Sequence, residues 1–162
     1  MYNGYMSHII REYTHSDIDA VKKCLSDLQD FHHMIDPHRL TGIEVANEYL
    51  EKLLDKCETN KGKIFVVEED EGVVGMVAVI IEENKVNKSR LKKHGLITDI
   101  IILPEYRGRG ISKELIAMAE EYVRSKDVQV IQASVLLYNS KALKVYTRNG
   151  FTEHEIILRK LL

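Results

Sequence analysis

Two glycines and two arginines stand close together in Leu103-Pro104-Glu105-Tyr106-Arg107-Gly108-Arg109-Gly110-Ile111-Ser112-Lys113. They join an apolar run, Leu96 to Leu103, to a helix-like run, Glu114 to Val123. Glycine has no Cβ, so the backbone there can turn tightly and come close to a ligand. The first amides of a helix lack internal partners and carry the positive end of its dipole. Such a junction attracts a phosphate or pyrophosphate. No Gly-Lys-Ser/Thr closes the loop and the spacing is not G-x-G-x-x-G, so neither the P-loop nor the dinucleotide pattern applies. The plain structural reading is a strand-to-helix turn with solvated arginines.

A second constellation follows a strand-like run from Val128 to Leu136: Asn139-Ser140-Lys141-Ala142-Leu143-Lys144-Val145-Tyr146-Thr147-Arg148-Asn149-Gly150-Phe151. Asn139 or Ser140 can cap a helix, and Asn149-Gly150 supplies its stop. Ala142, Leu143 and Tyr146 fall on neighbouring positions of one helical face.

Together the two segments resemble the GNAT superfamily of acyl-CoA-dependent N-acetyltransferases. Arg107 to Ser112 resembles its Arg/Gln-x-x-Gly-x-Gly/Ala loop, and Asn139 to Phe151 its Asn-x-x-Ala-x-x-x-Tyr-x-x-x-Gly-Phe helix. Ser112 stands where the family usually has Gly or Ala; its hydroxyl adds a phosphate donor and slightly tightens the space. The resemblance covers most of the chain from about Lys63 onward.

The resemblance implies acetyl-CoA as cosubstrate and a primary amine as acceptor. Backbone groups of Ile100, Ile101 and Ile102 would bind the pantetheine arm and the acyl carbonyl. Amides of Gly108, Arg109, Gly110, Ile111, Ser112 and Lys113 would hold the pyrophosphate, with Arg107 or Arg109 nearby. Asn139 would hydrogen-bond the cofactor arm, and Tyr146 would protonate the departing sulfur. The alternative for Tyr146 is a core tyrosine on an amphipathic helix, and for Asn139 a plain helix cap.

The chemistry has fixed demands. A neutral amine must attack a thioester carbonyl, although a lysine-like amine has a pKa of about 10.4 in water. A side chain or ordered water must take its proton, and the oxyanion needs fixed N–H donors. A phenol, with a pKa of about 10, can donate a proton to the leaving thiolate. Many relatives carry a Glu base where this chain has Thr98, and others where it has Ser134. Neither can act as a base unaided. Asp99 is next to the first position, but strand alternation turns it to the other face. A base acting through water, organised by Thr98, Ser134 or a residue of the N-terminal helices, is the expectation, with no residue assigned.

The acceptor wall should come from the first two helices, their connecting loop and the loop from Glu82 to Lys93. Phe31-His32-His33-Met34-Ile35-Asp36-Pro37-His38-Arg39 is its most chemically dense part, read either as an amine site or as a solvated helix end. His32, His33 and His38 lack the i, i+4 spacing common in zinc sites, so no metal is expected. Lys85, Lys88, Arg90, Lys92 and Lys93, beside Glu82 and Glu83, read as a solvated connector.

The elements around these motifs alternate in type. A strand is expected over His8 to Tyr13, a helix capped at Ser16-Asp17 up to His33, and a second helix from Glu44 to Cys57. A hairpin follows, Ile64 to Glu68 and Val73 to Ile81, turning at Glu71-Gly72. Strand 96–103, helix 111–125, strand 128–136, helix 140–149 and a last strand, His154 to Arg159, complete the chain. This is an α/β (α+β) fold, a GNAT-like, mostly antiparallel mixed sheet with helices on both faces, forming one N-acetyltransferase domain over residues 1–162.

Composition agrees. A chain of 162 residues can bury a substantial core. A formal net charge of −2 argues against a general nucleic-acid binder. Cys24 and Cys57 read as isolated thiols of a reducing compartment. Met1 to Met6 lack a signal peptide's basic start and apolar run, and no apolar stretch approaches the ~20 residues of a membrane span. A cytoplasmic protein is expected, with no nucleic-acid or membrane partner. The apolar run Ile156-Ile157-Leu158 suggests a sheet edge or face covered in a homodimer. Against the enzyme stands a second reading, a catalytically silent acyl-CoA sensor, suggested by the absent Glu residues and opposed by Tyr146.

Overall fold

Along Ile64-Phe65-Val66-Val67 the side chains alternate between two separate cores. Phe65 and Val67 enter one apolar cluster, Ile64 and Val66 the other. A continuous apolar run is what a strand covered on both faces requires. The computed structural model describes residues 8–84 and 90–162. Five strands, β1 (Ile9–Glu12), β2 (Lys63–Glu69), β3 (Gly72–Glu83), β4 (Lys93–Ile102) and β5 (Ile131–Ala133), form one sheet in sequential order. The first four pair antiparallel, while β4 and β5 are parallel.

Helices α1 (Ile18–Ile35) and α2 (Gly42–Thr59) cover one face. They bury Val21, Cys24, Leu25, Leu50 and Leu53 against Ile64, Val66, Met76 and Ile101. Helices α3 (Ile111–Arg124) and α4 (Ser140–Arg148) cover the other face. There Leu115, Ile116, Ala119 and Tyr146 join Val77, Val79 and Ile97.

Local chemistry sets the helix starts. The buried Asp17 accepts two bonds from the Arg11 guanidinium, at 2.7 and 2.8 Å, and one from the Thr14 amide at 2.8 Å. These donors hold its carboxyl far below the usual range, the Arg11 bonds most of all. Thr41 and Glu44 form a capping box at α2, and Asp30 of α1 accepts from the Gly42 amide at 2.7 Å, joining the two helices. Cys24 and Cys57 are free thiols, each pushed up to about 11 chiefly by burial.

Three sequence expectations change. Glu82, Glu83 and Lys93 extend the strands, so the connector is shorter than 82–93; Lys85 and Lys88 lie outside the described residues. The strand expected over 128–136 pairs only at Ile131–Ala133. Apolar character continues beyond Ala133, but the neighbouring strand is no longer beside it. Residues 154–159 form no strand and are exposed throughout. Their β-branched composition is suited to a strand, but strand structure needs a partner edge, and none of the described sheet lies alongside.

Candidate active site

The pairing of β4 with β5 runs Gly95↔Ile131, Leu96↔Gln132 and Ile97↔Ala133, then stops. Beyond it, β4 continues to Ile102, bonded on its other side to β3. The backbone of residues 98–102 therefore has no strand partner on the β5 side among the described residues, which leaves a gap in the sheet there. Unsatisfied strand groups beside a gap suit an extended, amide-bearing ligand.

One end of the gap is the glycine turn. Gly108 and Gly110 have φ of +80° and +85°, and an added Cβ at either would meet nothing within 4 Å. The amides of Tyr106, Arg107 and Lys113 bond back to Leu103, Pro104 and Gly110. Those from Gly108 to Ser112 have no such bond among the described residues. These N–H groups lie at the start of α3, an open cradle that fits an anion. Ile111 is buried and anchors the helix, whereas Ser112 is half-buried and Lys113 exposed.

The two arginines are already engaged. Arg107 Nε donates to the Ile102 carbonyl at 2.8 Å, tying the turn to the end of β4. Arg109 reaches the buried Glu69 at 3.3 Å and lies over the Tyr106 ring at 5.2 Å. Sequence spacing offered no sign of Glu69, which lies 40 residues away.

The other wall comes from α4. Asn139 accepts from the Ala142 amide at 3.1 Å and so caps the helix. Tyr146 is 8% exposed and packs edge-on to Phe151, ring centroids 5.0 Å apart. It shares its cluster with Ile97, Ile100, Ile102 and Ala133. The phenol makes no hydrogen bond among the described residues and is not among the sealed polar atoms. Burial first, and then the charge of Asp99, push its pKa up, so it stays protonated at neutral pH.

Asp99 is the residue that sequence reasoning passed over. The β3–β4 register slips between Ala78 and Val79, which pair with Asp99 and Ile97. Thr98 is the extra residue of this bulge, its Oγ1 3.3 Å from the Ala78 carbonyl. Asp99 is 4% exposed, and Tyr49 of α2 donates to its Oδ1 at 2.8 Å. Its Oδ2 is buried with no partner. Desolvation raises this carboxyl above the usual range, against the opposing pull of the Tyr49 and Thr98 bonds. By helical spacing alone Tyr49 falls in an apolar stripe of α2 with Val45, Leu50, Leu53 and Leu54. Ser134 is exposed.

On the α1 side, a cleft of about 360 Å³ is lined by Asp27, Asp30, Phe31, Met34, Leu103 and Arg107 among others. In the last turn of α1, His33 Nδ1 lies 2.6 Å from the Arg39 carbonyl, and Asp36 just after it takes two bonds from Arg159. His32 is partly buried, and desolvation lowers its pKa. Among the described residues no group of three His, Cys, Asp or Glu could hold a metal, and no helix is long and apolar enough to cross a membrane.

Residues 25–151 match the family model described as the acetyltransferase (GNAT) family. The chain belongs to the GNAT acetyltransferase family. By that membership it is an acyltransferase. The GNAT match begins inside α1, well before the motif-bearing half. An uncharacterized N-acetyltransferase of Methanocaldococcus jannaschii is 27% identical over 157 residues, covering 97% of this chain and 66% of that protein. The chain thus spans about two thirds of that relative's length. Glucosamine 6-phosphate N-acetyltransferase of Trypanosoma brucei brucei is 29% identical over 137 residues, covering 83% of this chain and 86% of that protein. An aminoglycoside N-acetyltransferase solved in complex with CoA has the same fold, with a TM-score of 0.75 at 17% identity over 100% of this chain and 99% of the other.

Proposed function

We propose that this GNAT protein moves an acetyl group from acetyl-CoA to a primary amine by direct attack, without a metal or a covalent acyl-enzyme. One observation carries the reading: the gap between β4 and β5 has the amide cradle at one end and the Tyr146 phenol in its wall. The cradle of amides from Gly108 to Ser112, with Lys113 next to it, takes the pyrophosphate. Backbone groups of Ile100, Ile101 and Ile102 that face the β5 side bind the pantetheine arm and polarise the acyl carbonyl. Asn139, besides capping α4, orients the arm.

In this reading Asp99 and Tyr49 together supply the base. The half-buried Tyr49 hydroxyl accepts the amine's proton as it passes its own to Asp99, whose raised pKa suits it to hold that proton. The amine nitrogen forms its bond to the acyl carbon, the carbon–sulfur bond breaks, and the thiolate takes the Tyr146 proton. A carboxylate so placed weakens the reading of a silent sensor, which rested on the missing Glu residues.

The acceptor enters beside α1, where Asp27, Asp30 and Glu105 outnumber Lys23 and Arg107 and favour a cation. Relatives named for glucosamine 6-phosphate and aminoglycosides point to an amino sugar, while polyamines and peptide amines fit the same charge. The protein acts in the cytoplasm as a homodimer, each chain one acetyltransferase domain over residues 1–162. Thiol release from acetyl-CoA, followed over a panel of amino sugars, aminoglycosides, polyamines and peptides, tests the proposal. CoA binding with no thiol release on any amine would establish the sensor instead.

A further inference from the structure

The glycine turn is held from outside by an acid that the acetyl transfer itself does not use. Glu69 ends β2 and pairs with Gly72 across the β2–β3 hairpin. Its side chain is 4% exposed, and both carboxylate oxygens lie 3.3 Å from Nη1 of Arg109. A carboxylate so deeply buried needs a partner, and Arg109 supplies it. The same guanidinium donates to the Glu105 carbonyl at 3.3 Å and lies over the Tyr106 ring. Tyr106 in turn donates to Glu71, two residues beyond Glu69, at 3.0 Å. The hairpin thus grips residues 105–109 through two acids.

We propose that Glu69 is a positioning residue for the phosphate cradle, a role that rests on the proposed pyrophosphate site. Through Arg109 it fixes the Gly108–Gly110 turn, so that the amides are set before the pyrophosphate arrives. Arg109 lies between two glycines at positive φ, where an added Cβ would meet nothing within 4 Å. Such a turn has many conformations open to it, and freezing them on binding would cost affinity. Arg107 ties the start of the turn to the Ile102 carbonyl, and Arg109 is the tie at its centre. With its guanidinium engaged by Glu69, Glu105 and Tyr106, Arg109 serves the anion through its backbone amide. The pair also silences the acid, since Glu69 without Arg109 would be a buried negative charge beside an anion site. Glu69 therefore governs affinity for the nucleotide end of acetyl-CoA and leaves the acyl end alone.

Calorimetry with CoA tests this in the full chain, whether or not any amine is turned over. Glu69→Gln keeps the shape and removes the charge. Its Kd for CoA should rise roughly two- to tenfold, the cost of ordering one long side chain on binding. With the best amine, KM for acetyl-CoA should rise alike while kcat holds. In an Arg109→Gln background, where Glu69 has nothing to hold, the same substitution should bring no further loss. Arg109→Lys, which keeps Glu69 neutralised but loses the planar fork, should weaken CoA binding by a similar factor. A residue that only stabilises the fold would lower the melting temperature and leave Kd unchanged. Unchanged or tighter CoA binding in folded Glu69→Gln, or in Arg109→Lys should the first variant not fold, would therefore overturn the proposal. Equal losses in both backgrounds would do the same. Gly110→Asp separates the two readings. CoA binding retained there would remove the cradle and this role together, whereas binding lost there and unchanged in Glu69→Gln would remove the role alone.

Discussion

The hydroxyl of Tyr49 donates to the Asp99 carboxylate at 2.8 Å, joining α2 to β4 across the buried face of the sheet. Asp99 thus meets Tyr49 on the α1–α2 face of the sheet, while its charge is felt at Tyr146 on the other. The base and acid proposed for the reaction therefore lie on the two sides of one strand.

Asp99→Asn should lower turnover on the best amine by ~10²–10⁴-fold, the usual range for a lost general base. Its stability has the opposite sign. The folded pKa is raised, so the stabilising contribution of the protonated carboxyl is present below the ordinary carboxylate range and is lost as pH rises through the folded pKa. At neutral pH the asparagine, still able to accept from Tyr49, should melt no lower than the wild type. Thermal melts and a pH–rate profile check both, and an acidic limb unchanged in Asp99→Asn would exclude the carboxyl as base.

For Tyr146, the phenylalanine variant keeps the ring and its contact with Phe151. Stability and CoA affinity should change little. If the phenol is the sole acid, kcat and kcat/KM should fall together by ~10²–10⁴-fold. Wild-type turnover in Tyr146→Phe would make the hydroxyl structural.

Gly110→Asp tests the cradle. A Cβ fits the space there, but φ is +85°, a conformation costing an L-residue roughly 1–2 kcal/mol. The fold should survive, and the new carboxylate should abolish CoA binding as measured by calorimetry. Unchanged affinity in the folded variant would move the pyrophosphate elsewhere.

Asp17 is a stability element remote from the chemistry. Removing its charge in Asp17→Asn weakens charge-assisted bonds from Arg11 and should cost about 1.5–3 kcal/mol in denaturant unfolding. The folded pKa is depressed, so this contribution is present above the ordinary carboxylate range and is lost as pH falls through the folded pKa. The gap between wild type and variant should therefore close in acid.

Much of the fold and half of the site were legible in the chain because they depend on neighbours in sequence. Gly108 and Gly110 at positive φ, Asn139 capping α4 and Gly150 ending it (φ +87°) are local necessities of turns and helix ends. The helical spacing that puts Tyr146 on the apolar face of α4 is equally local. The missing half depends on register. A one-residue bulge at Thr98 sets where Asp99 lies, and alternation read along one strand cannot reveal a bulge that exists only relative to β3.

Only the tertiary structure paired Tyr49 with Asp99, 50 residues apart, and Arg109 with Glu69, 40 apart. It also showed β5 leaving β4 after Ala133, and residues 154–159 without the strand their composition suggested. Side-chain type states what a residue can bond or bury, and short-range spacing states which face it occupies. Which partner arrives across the sheet is decided by packing of whole elements, because a strand or a buried charge is stable only when another part of the chain, or another chain, supplies the complementary groups.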